Sequence, residues 1–490
     1  MSNILYISSE AFPLIKTGGL GDVAGSLPGA LLKQSQDVRL LLPAYPEVLT
    51  KIKNSKIIAR TAYYNQPVNI IETRLPGSMV TVWLVDCPSV FNRPGGPYCD
   101  EHGTPREDNA LRFALFCLAA TDIGLNKLNI NWRADIVHCN DWQSALVPAL
   151  LSLHPNRPAT VFTIHNLAYQ GVFDQQTFHD LHMPDELWAM QGVEFHGQFS
   201  FIKGGLAYAD KITTVSPRYA KEICQPENGY GLDGLLRFRQ QDLSGIINGI
   251  DEKYWNPGTD RHLVQKFNRR TLDKKLINKT QLQKDLSLPQ KTAVPMIGMV
   301  GRLVEQKGLD IILLCADALL KRNIQLVILG SGESHYEMKL TELAQRHPQR
   351  LKVIIGYNEQ LAHKIEAASD LYLMPSIFEP CGLNQLYSLS YGSLPIVTSV
   401  GGLADTVINA SEKNIKNNTA NGFVLDEISP SALINTIDYA ITCYKKPALW
   451  RKIQLKAMGE DFSWRNSAEQ YITLYQQLEK IAWRSEHQAI

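Results

Sequence analysis

The sequence predicts an α/β protein made of two doubly wound parallel sheets in tandem. Three observations predict it. Short β-branched and apolar runs alternate with helical stretches along nearly the whole chain. Most of these runs are apolar throughout rather than at every second residue, as strands covered on both faces are. The series also stops and restarts near the middle, as expected for 490 residues, more than one core fills.

In chain order the first series is "ILYIS", "VRLLLP", "VTVWLVD", "DIVHCN", "TVFTIH", "KITTVS" and "SGIING". The stretch Asn248 to Asp260, "NGIDEKYWNPGTD", has Gly, Pro, Asp and Asn without periodicity and reads as a boundary with a hinge. It separates a first domain, 1–248, from a second, 249–464. The second series is "VPMIGMVGR", "IQLVILG", "LKVIIG", "DLYLMPS", "LPIVTS" and "GFVLD". Between boundary and restart, the basic run "KFNRRTLDKKLINKTQLQK" reads as a solvated helical face. The tail, about 465–490, carries apolar residues at helical spacing in "SAEQYITLYQQLEKIAWR" and is expected to pack as a last helix on the first domain. "GGLGDVAG" (Gly18 to Gly25) is echoed by "GGLADTV" (Gly401 to Val407), so each domain is expected to hold a similar loop-to-helix junction.

Charge and cysteine usage exclude several functions. Forty-nine basic residues against 48 acidic ones give a formal charge of +1 without a basic block, so neither nucleic acid nor an anionic membrane is expected as partner. A small molecule or a neutral polymer is. Eight cysteines are scattered without a C-x-x-C pair, which predicts neither a disulfide framework nor a zinc site and suits a reducing cytoplasm. "MSNILYISSE" lacks a basic leader region, and "ALVPALLSL" is too short to span a bilayer, so a soluble, unprocessed chain is expected.

Three segments carry chemistry. Gly19, Gly21 and Ala24 spell G-x-G-x-x-A, yet about ten residues separate "ILYIS" from Gly18, and no acidic residue ends the second run, so the spacing disfavours a nicotinamide dinucleotide. Lys16 precedes the glycines, so this is no Walker loop either. What remains is a loop at a sheet's carboxyl edge with glycine amides opening a helix and Lys16 as a cation, a combination that suits a diphosphate. The alternative is glycines that only turn the chain beside a solvated lysine. In the second domain "VGRLVEQKG" places Arg302 and Lys307 just past a strand, where two cations offset diphosphate charge unless both are ordinary surface residues. No Asp-x-Asp occurs, so the carboxylate pair that usually holds a metal-bound nucleotide sugar is missing. "SIFEPCGLNQLYSLSYGSLPIV" sets Glu379 next to a helix start, ready for sugar hydroxyls or developing positive charge. Cys381 in it reads as a packing thiol rather than a nucleophile, having no histidine beside it.

With "KTGGLGDV", "TIHNLAYQG", "DKITTVSPRYAKEI", "NGID", "VGRLVEQKG" and "EPCGLNQLY" in this order, the chain resembles the bacterial glycogen synthases, the ADP-glucose-dependent family shared with plant starch synthases. The resemblance implies the GT-B fold, two Rossmann-like domains with an interdomain cleft and a terminal helix returning to the first. It implies glucose transfer from ADP-glucose to the non-reducing end of an α-1,4-glucan such as glycogen, with retention, without cofactor and without metal. In that scheme Lys16 with the Gly18 and Gly19 amides holds the diphosphate, and Arg302 and Lys307 stabilise the departing ADP. Glu379 meets the donor glucose, while Asp141 in "HCNDWQ" and His165 in "TIHN" line the reaction centre. Read alone, Asp141 equally caps the helix starting "WQSALVPALL", and His165 equally is a buried core histidine. Asp141 is also the one carboxylate available as a covalent nucleophile, against the same-face route usually invoked for the family. Asp22, Asn248, Cys381, Gly382, Leu383 and Asn384 match donor-side positions, and Tyr98 and Asn109 match sugar or loop contacts. Tyr357 either stacks on adenine or joins the core, and Trp142 either faces glucan or packs inside. Two positions depart from the pattern. Asn384 replaces a common Thr, keeping the main-chain donor and losing the hydroxyl, and Tyr387 stands where many retaining relatives carry a second Glu. An α-glucan phosphorylase-like enzyme and a catalytically silent glucan-binding protein are the alternative readings.

Overall fold

The computed structural model describes residues 1–488. They form two compact units, one of Met1–Gly249 with the final helix Trp464–Gln488, the other of Ile250–Ser463.

The first unit is built on nine strands: β1 (Asn3–Ile7), β2 (Asp37–Pro43), β3 (Lys56–Tyr63), β4 (Gln66–Arg74), β5 (Thr81–Asp86), β6 (Ile136–Asn140), β7 (Ala159–Ile164) and two that follow a small accessory sheet. That accessory sheet pairs β8 (Val172–Phe173), β9 (Glu194–Phe195) and β10 (Gln198–Ser200). The last two main strands are β11 (Lys211–Thr214) and β12 (Leu243–Gly245), and the order is β12-β11-β7-β6-β1-β2-β5-β4-β3. Seven strands run parallel, as their unbroken apolar runs predict; β6 is buried at every position. Strands β3 and β4 are antiparallel additions at one edge. Their turn, Tyr64-Asn65, has φ of +50° and +58° at its two residues, the geometry that closes a two-residue hairpin. Sequence order reverses at β1, whose neighbours are β2 and β6, so the carboxyl ends of β1 and β6 flank the position where such sheets bind ligands. No helix among the described residues is long and apolar enough to cross a membrane.

Helix Trp464–Gln488 packs on helix Gly19–Lys33 and β7. The Tyr475 hydroxyl meets Nδ1 of the fully buried His138 at 2.7 Å, and the other imidazole nitrogen meets Thr163 Oγ1 at 2.6 Å. Burial depresses His138 to about 3, so this link between β6, β7 and the tail is made by a neutral ring.

The second unit is a six-stranded parallel sheet of β13 (Met296–Val300), β14 (Gln325–Gly330), β15 (Leu351–Ile355), β16 (Leu371–Met374), β17 (Leu394–Val397) and β18 (Phe423–Val424), ordered β15-β14-β13-β16-β17-β18. Its order reverses between β13 and β16. In the basic run Lys266, Arg269, Arg270, Lys274 and Lys284 are exposed, as the solvated reading has them, and two lysines are not. In helix Lys275–Asp285, Lys275 donates to the carbonyls of Glu366 and Ala367, at the carboxyl end of helix Glu359–Ala368, and Lys279 pairs with Asp370 at 2.6 Å, both lysines buried. Apolar spacing alone hides such lysines, because carbonyls, and at Lys279 the Asp370 carboxylate, take the place of solvent. Within the stretch read as a boundary with a hinge, Trp255 and Asp260 are packed. Trp255 stacks on His363 at 3.8 Å and on Tyr387 at 3.9 Å, and Asp260 accepts from His363 Nδ1 at 2.8 Å and the Tyr391 hydroxyl at 2.6 Å.

Candidate active site

The segment between β1 and helix Gly19–Lys33 winds around Glu10. This buried carboxylate accepts from Thr17 N and Thr17 Oγ1, both at 2.5 Å, from Gly18 N at 3.2 Å and from the Tyr98 hydroxyl at 2.5 Å. The Gly18 amide, expected to meet a diphosphate, is therefore directed at Glu10 instead: a buried carboxylate collects every donor within reach. The amides of Gly19 and Leu20, in the first helical turn, have no intrahelical acceptor. Lys16 is fixed rather than mobile, its ammonium 2.8 Å from Asp22 in the first turn of the same helix. A Cβ added at Gly18 would meet nothing within 4 Å, so the surface over this glycine is open. Glu10 was not singled out from the sequence. Its signal is a lone acidic residue three places after an apolar strand, at the sheet's carboxyl edge.

Tyr98 and Asn109 sit behind this loop. The Tyr98 hydroxyl also meets Ser9 Oγ at 2.8 Å, its carbonyl accepts from Asn109 Nδ2 at 3.0 Å, and Asn109 Oδ1 accepts from the buried Arg112 at 2.7 Å. Of the two contacts the resemblance offered, loop support is the one these bonds provide.

Asp141 directly follows β6 with φ +55° and ψ 179°, a conformation non-glycine residues rarely hold and one that clusters at functional sites. It does not cap the following turn: its carboxylate accepts from His165 N at 2.7 Å and Asn166 N at 3.4 Å, the amides that end β7. Burial raises this carboxyl to about 7; the two amides oppose the rise and the charge of Glu10 adds to it. Near neutral pH it carries a proton about half the time. His165, also buried, is depressed to about 3 and is neutral. Its Nε2 meets Asn140 Oδ1 at 2.9 Å, an acceptor, so Nε2 carries the hydrogen and Nδ1 is the ring's acceptor. Trp142 packs edge-on against Phe113 and Phe201, at 4.9 and 5.9 Å, and is half-buried. Asn248 is buried past β12, and its Oδ1 has no partner among the described residues.

In the second unit Lys307 and Glu379 come from the two sides of the reversal point, one after β13 and one after β16, and meet at 2.5 Å. Ser376 Oγ donates to the same Glu379 oxygen at 3.0 Å. Arg302, on the Lys307 loop, is exposed and donates to Gln306 at 3.3 Å, while Gln306 in turn donates to the Phe378 carbonyl, tying this loop to the one that bears Glu379. Gly401 has φ +42°, and a Cβ there would fall 1.9 Å from the Glu379 carbonyl oxygen; Gly402 N donates to that oxygen at 3.1 Å. The "GGL" echo thus opens a helix in both units, Gly19–Lys33 and Gly401–Thr406, but in the second it buttresses Glu379 from behind. Cys381 is buried and Gly382 and Leu383 lead into helix Asn384–Ser390. Asn384 uses its side chain: its Nδ2 donates to the Val300 carbonyl at 2.7 Å and the Tyr372 hydroxyl at 3.0 Å, tying that helix to the end of β13 and to a side chain of β16. Tyr357, past β15, is 75% exposed, which excludes the core alternative.

Ten of the nominated residues thus fall in three groups: Lys16, Gly18, Gly19, Asp22 and Tyr98 on and behind the loop that winds around Glu10; Asp141 with His165; and Arg302, Lys307 and Glu379. Among the described residues no group of three or more His, Cys, Asp or Glu is arranged to hold a metal ion.

Residues 3–238 match the family model "Starch synthase catalytic domain", and residues 280–456 match "Glycosyl transferases group 1". The chain is 54% identical to a glycogen synthase of Cellvibrio japonicus over 98% of this chain and all of that protein. It is 50% identical to glycogen synthase 1 of Methylococcus capsulatus, covering 97% of this chain and 96% of that one. The solved catalytic domain of starch synthase IV from Arabidopsis thaliana, bound to ADP and acarbose, superposes with a TM-score of 0.89 at 32% identity, covering 97% of this chain and 99% of that domain. Near-full-length identity with glycogen synthases, two glycosyltransferase domains and two parallel sheets with charged groups at their reversal points agree: the chain belongs to the bacterial glycogen synthase family of GT-B glycosyltransferases.

Proposed function

We propose that this chain lengthens an α-1,4-glucan by transferring glucose from ADP-glucose to its non-reducing end, retaining the anomeric configuration and requiring no metal or other cofactor. The observation that carries the reading is the Lys307–Glu379 pair at the reversal point of the second sheet, with Arg302 on the same loop as Lys307. It sets two cations for a diphosphate beside a carboxylate for a sugar. The starch synthase structure at 32% identity, which holds ADP, supports the adenine nucleotide.

In the transfer, the bond from the glucose anomeric carbon to the phosphate oxygen breaks, and a bond to the acceptor's O4 forms on the same face. The proton on O4 passes to the departing phosphate oxygen, so ADP leaves with charge developing on its diphosphate. Lys307 and Arg302 stabilise that charge, each contributing roughly 10²- to 10³-fold in turnover, as single preorganised donors do elsewhere. Lys16 and the Gly19 amide are the first unit's own candidate donors to a diphosphate. Released from Lys307 as the diphosphate arrives, Glu379 accepts from donor hydroxyls. Asp141, fixed by two amides and half protonated near neutrality, both donates to and accepts from glucose hydroxyls; Asn248 Oδ1 offers a further acceptor. Tyr357 stacks on adenine. Eight free cysteines suit a reducing cytoplasm.

Incorporation of labelled glucose into glycogen from ADP-glucose, in the presence of EDTA and in competition with UDP-glucose, tests the reading. ADP-glucose is expected to be the better donor, with chelator harmless and an α-anomer as product. Loss of activity in EDTA, or a preference for UDP-glucose, overturns the corresponding clause.

A further inference from the structure

We propose that Glu10 is a positioning residue for the transfer: its buried carboxylate sets the shape of the Lys16–Gly19 loop, and a hydrogen-bonded brace from Arg112 through Asn109 and Tyr98 holds Glu10 in place. Glu10 follows β1 by three residues and is 3% exposed. Four donors converge on it, three from Thr17 and Gly18 and one from Tyr98, which lies 88 residues away in sequence. A carboxylate this deep is tolerated only while such donors satisfy it, so the loop cannot shift without stripping several charge-assisted bonds at once. Because Thr17 and Gly18 turn their amides inward to Glu10, the groups on either side of them, the Lys16 ammonium and the Gly19 amide, are left to face a ligand. Lys16 cannot reorient on its own either, since Asp22 holds it from the helix that starts at Gly19.

The brace explains why Glu10 keeps its place. The Tyr98 hydroxyl spans Ser9 Oγ and Glu10, and the Tyr98 carbonyl is held by Asn109. Arg112, 1% exposed, holds Asn109 Oδ1 together with the carbonyls of Val90 and Pro97. The long connection 92–108 is thereby tied at both ends to helix Asn109–Gly124, and its one tyrosine presents the hydroxyl that Glu10 needs. From Arg112 to Glu10 every member of the chain is buried or half-buried and spent on its neighbours, and the exposed Thr17 turns its amide and hydroxyl to Glu10, so the brace acts through the loop.

The inference rests on the reading that this loop meets ADP-glucose. Steady-state kinetics on the full chain test it with Glu10→Gln, which keeps size and loses charge, Tyr98→Phe, which loses one hydroxyl, and Lys16→Ala as reference. Glu10→Gln is expected to raise KM for ADP-glucose about tenfold or more, Tyr98→Phe to raise it less, and both to leave KM for glycogen within about twofold, since a misplaced binding group costs the substrate it serves. The double variant is expected to lose less in kcat/KM for the donor than the product of the two single losses, because both act on one loop. A purely structural role would lower the melting temperature and leave the ratio of the two KM values unchanged. If Lys16→Ala raises the donor KM while Glu10→Gln and Tyr98→Phe do not, the positioning role falls and the loop assignment stands. Should all three leave it unchanged, the loop assignment falls and the inference with it. If Glu10→Gln does not fold, Tyr98→Phe and Thr17→Val decide by the same criteria.

Discussion

Replacing Asp141 by asparagine is expected to make the protein more stable and less active, by an amount that depends on pH. The amide side chain keeps an oxygen for the backbone N–H groups of His165 and Asn166 and, like aspartate, tolerates a positive φ better than most residues, so the +55° backbone is undisturbed. Only the charge is removed. Folding raises this carboxyl from 3.8 to about 7, mainly by burial. The folded chain therefore holds a proton that the unfolded chain has released across that interval, and the parent loses stability as pH rises through it. At 1.36 kcal/mol per pH unit the loss reaches a ceiling of about 4 kcal/mol above pH 8 and vanishes below pH 4. The Asp141→Asn variant carries no such loss. For a unit of this size 1 kcal/mol moves a melting temperature by about 2 to 4 °C, so the variant is expected to melt about 8 to 16 °C above the parent at pH 8 and level with it near pH 4. Thermal unfolding at half-unit pH steps, with glucose incorporation measured alongside, provides the assay. A melting difference that stays constant with pH, or a parent that is the more stable at pH 8, refutes the reasoning.

Three further outcomes follow from the geometry. Lys307→Ala leaves Glu379 without its 2.5 Å partner and should lower kcat with ADP-glucose by roughly 10² to 10³ while circular dichroism stays unchanged; normal turnover removes Lys307 from the mechanism. Gly18→Ala places a methyl where the protein has nothing within 4 Å and the backbone is extended, so it should leave the melting temperature within about 1 °C and raise KM for ADP-glucose, whereas unchanged kinetics would show that no ligand comes over this glycine. Tyr475→Phe leaves the neutral, fully buried His138 one hydrogen bond short and should cost about 1 to 3 kcal/mol in urea unfolding with kinetics preserved; a smaller loss would mean that the hydroxyl is not what fastens the last helix.

The parallel strands were legible because burial on both faces writes a continuous apolar run. Strands β3 and β4 were not, because "KIIARTAY" and "QPVNIIETR" sit at an exposed edge and mix charged with apolar residues, and their turn uses Tyr64-Asn65 without the glycine that flags most hairpins. At the site, residues marked by motif (Lys16, Asp141, Arg302, Lys307, Glu379) lie on the segments that follow β1, β6, β13 and β16. What the sequence hid was which polar groups serve each other. Gly18 spends its amide on Glu10, Asn384 ties its helix to β13 and β16 with its side chain, and Tyr98 acts from 88 residues away through a carboxylate no motif marks. Spacing along the chain reveals periodic neighbours, whereas these partners are fixed only once the sheet order brings distant loops together.

Tyr387, where the family resemblance raises the expectation of a second Glu, lies flat on Trp255, whose indole is also stacked on His363. An engineer who sought to restore a second acid by writing Tyr387→Glu would pull out one plate of a three-ring stack and set an anion against an indole in a site that is 5% exposed. Catalytic novelty at this position would first have to be matched by redesign of the segment just after Ile250, because in this chain the residue has become part of the rivet that anchors that segment to the second sheet.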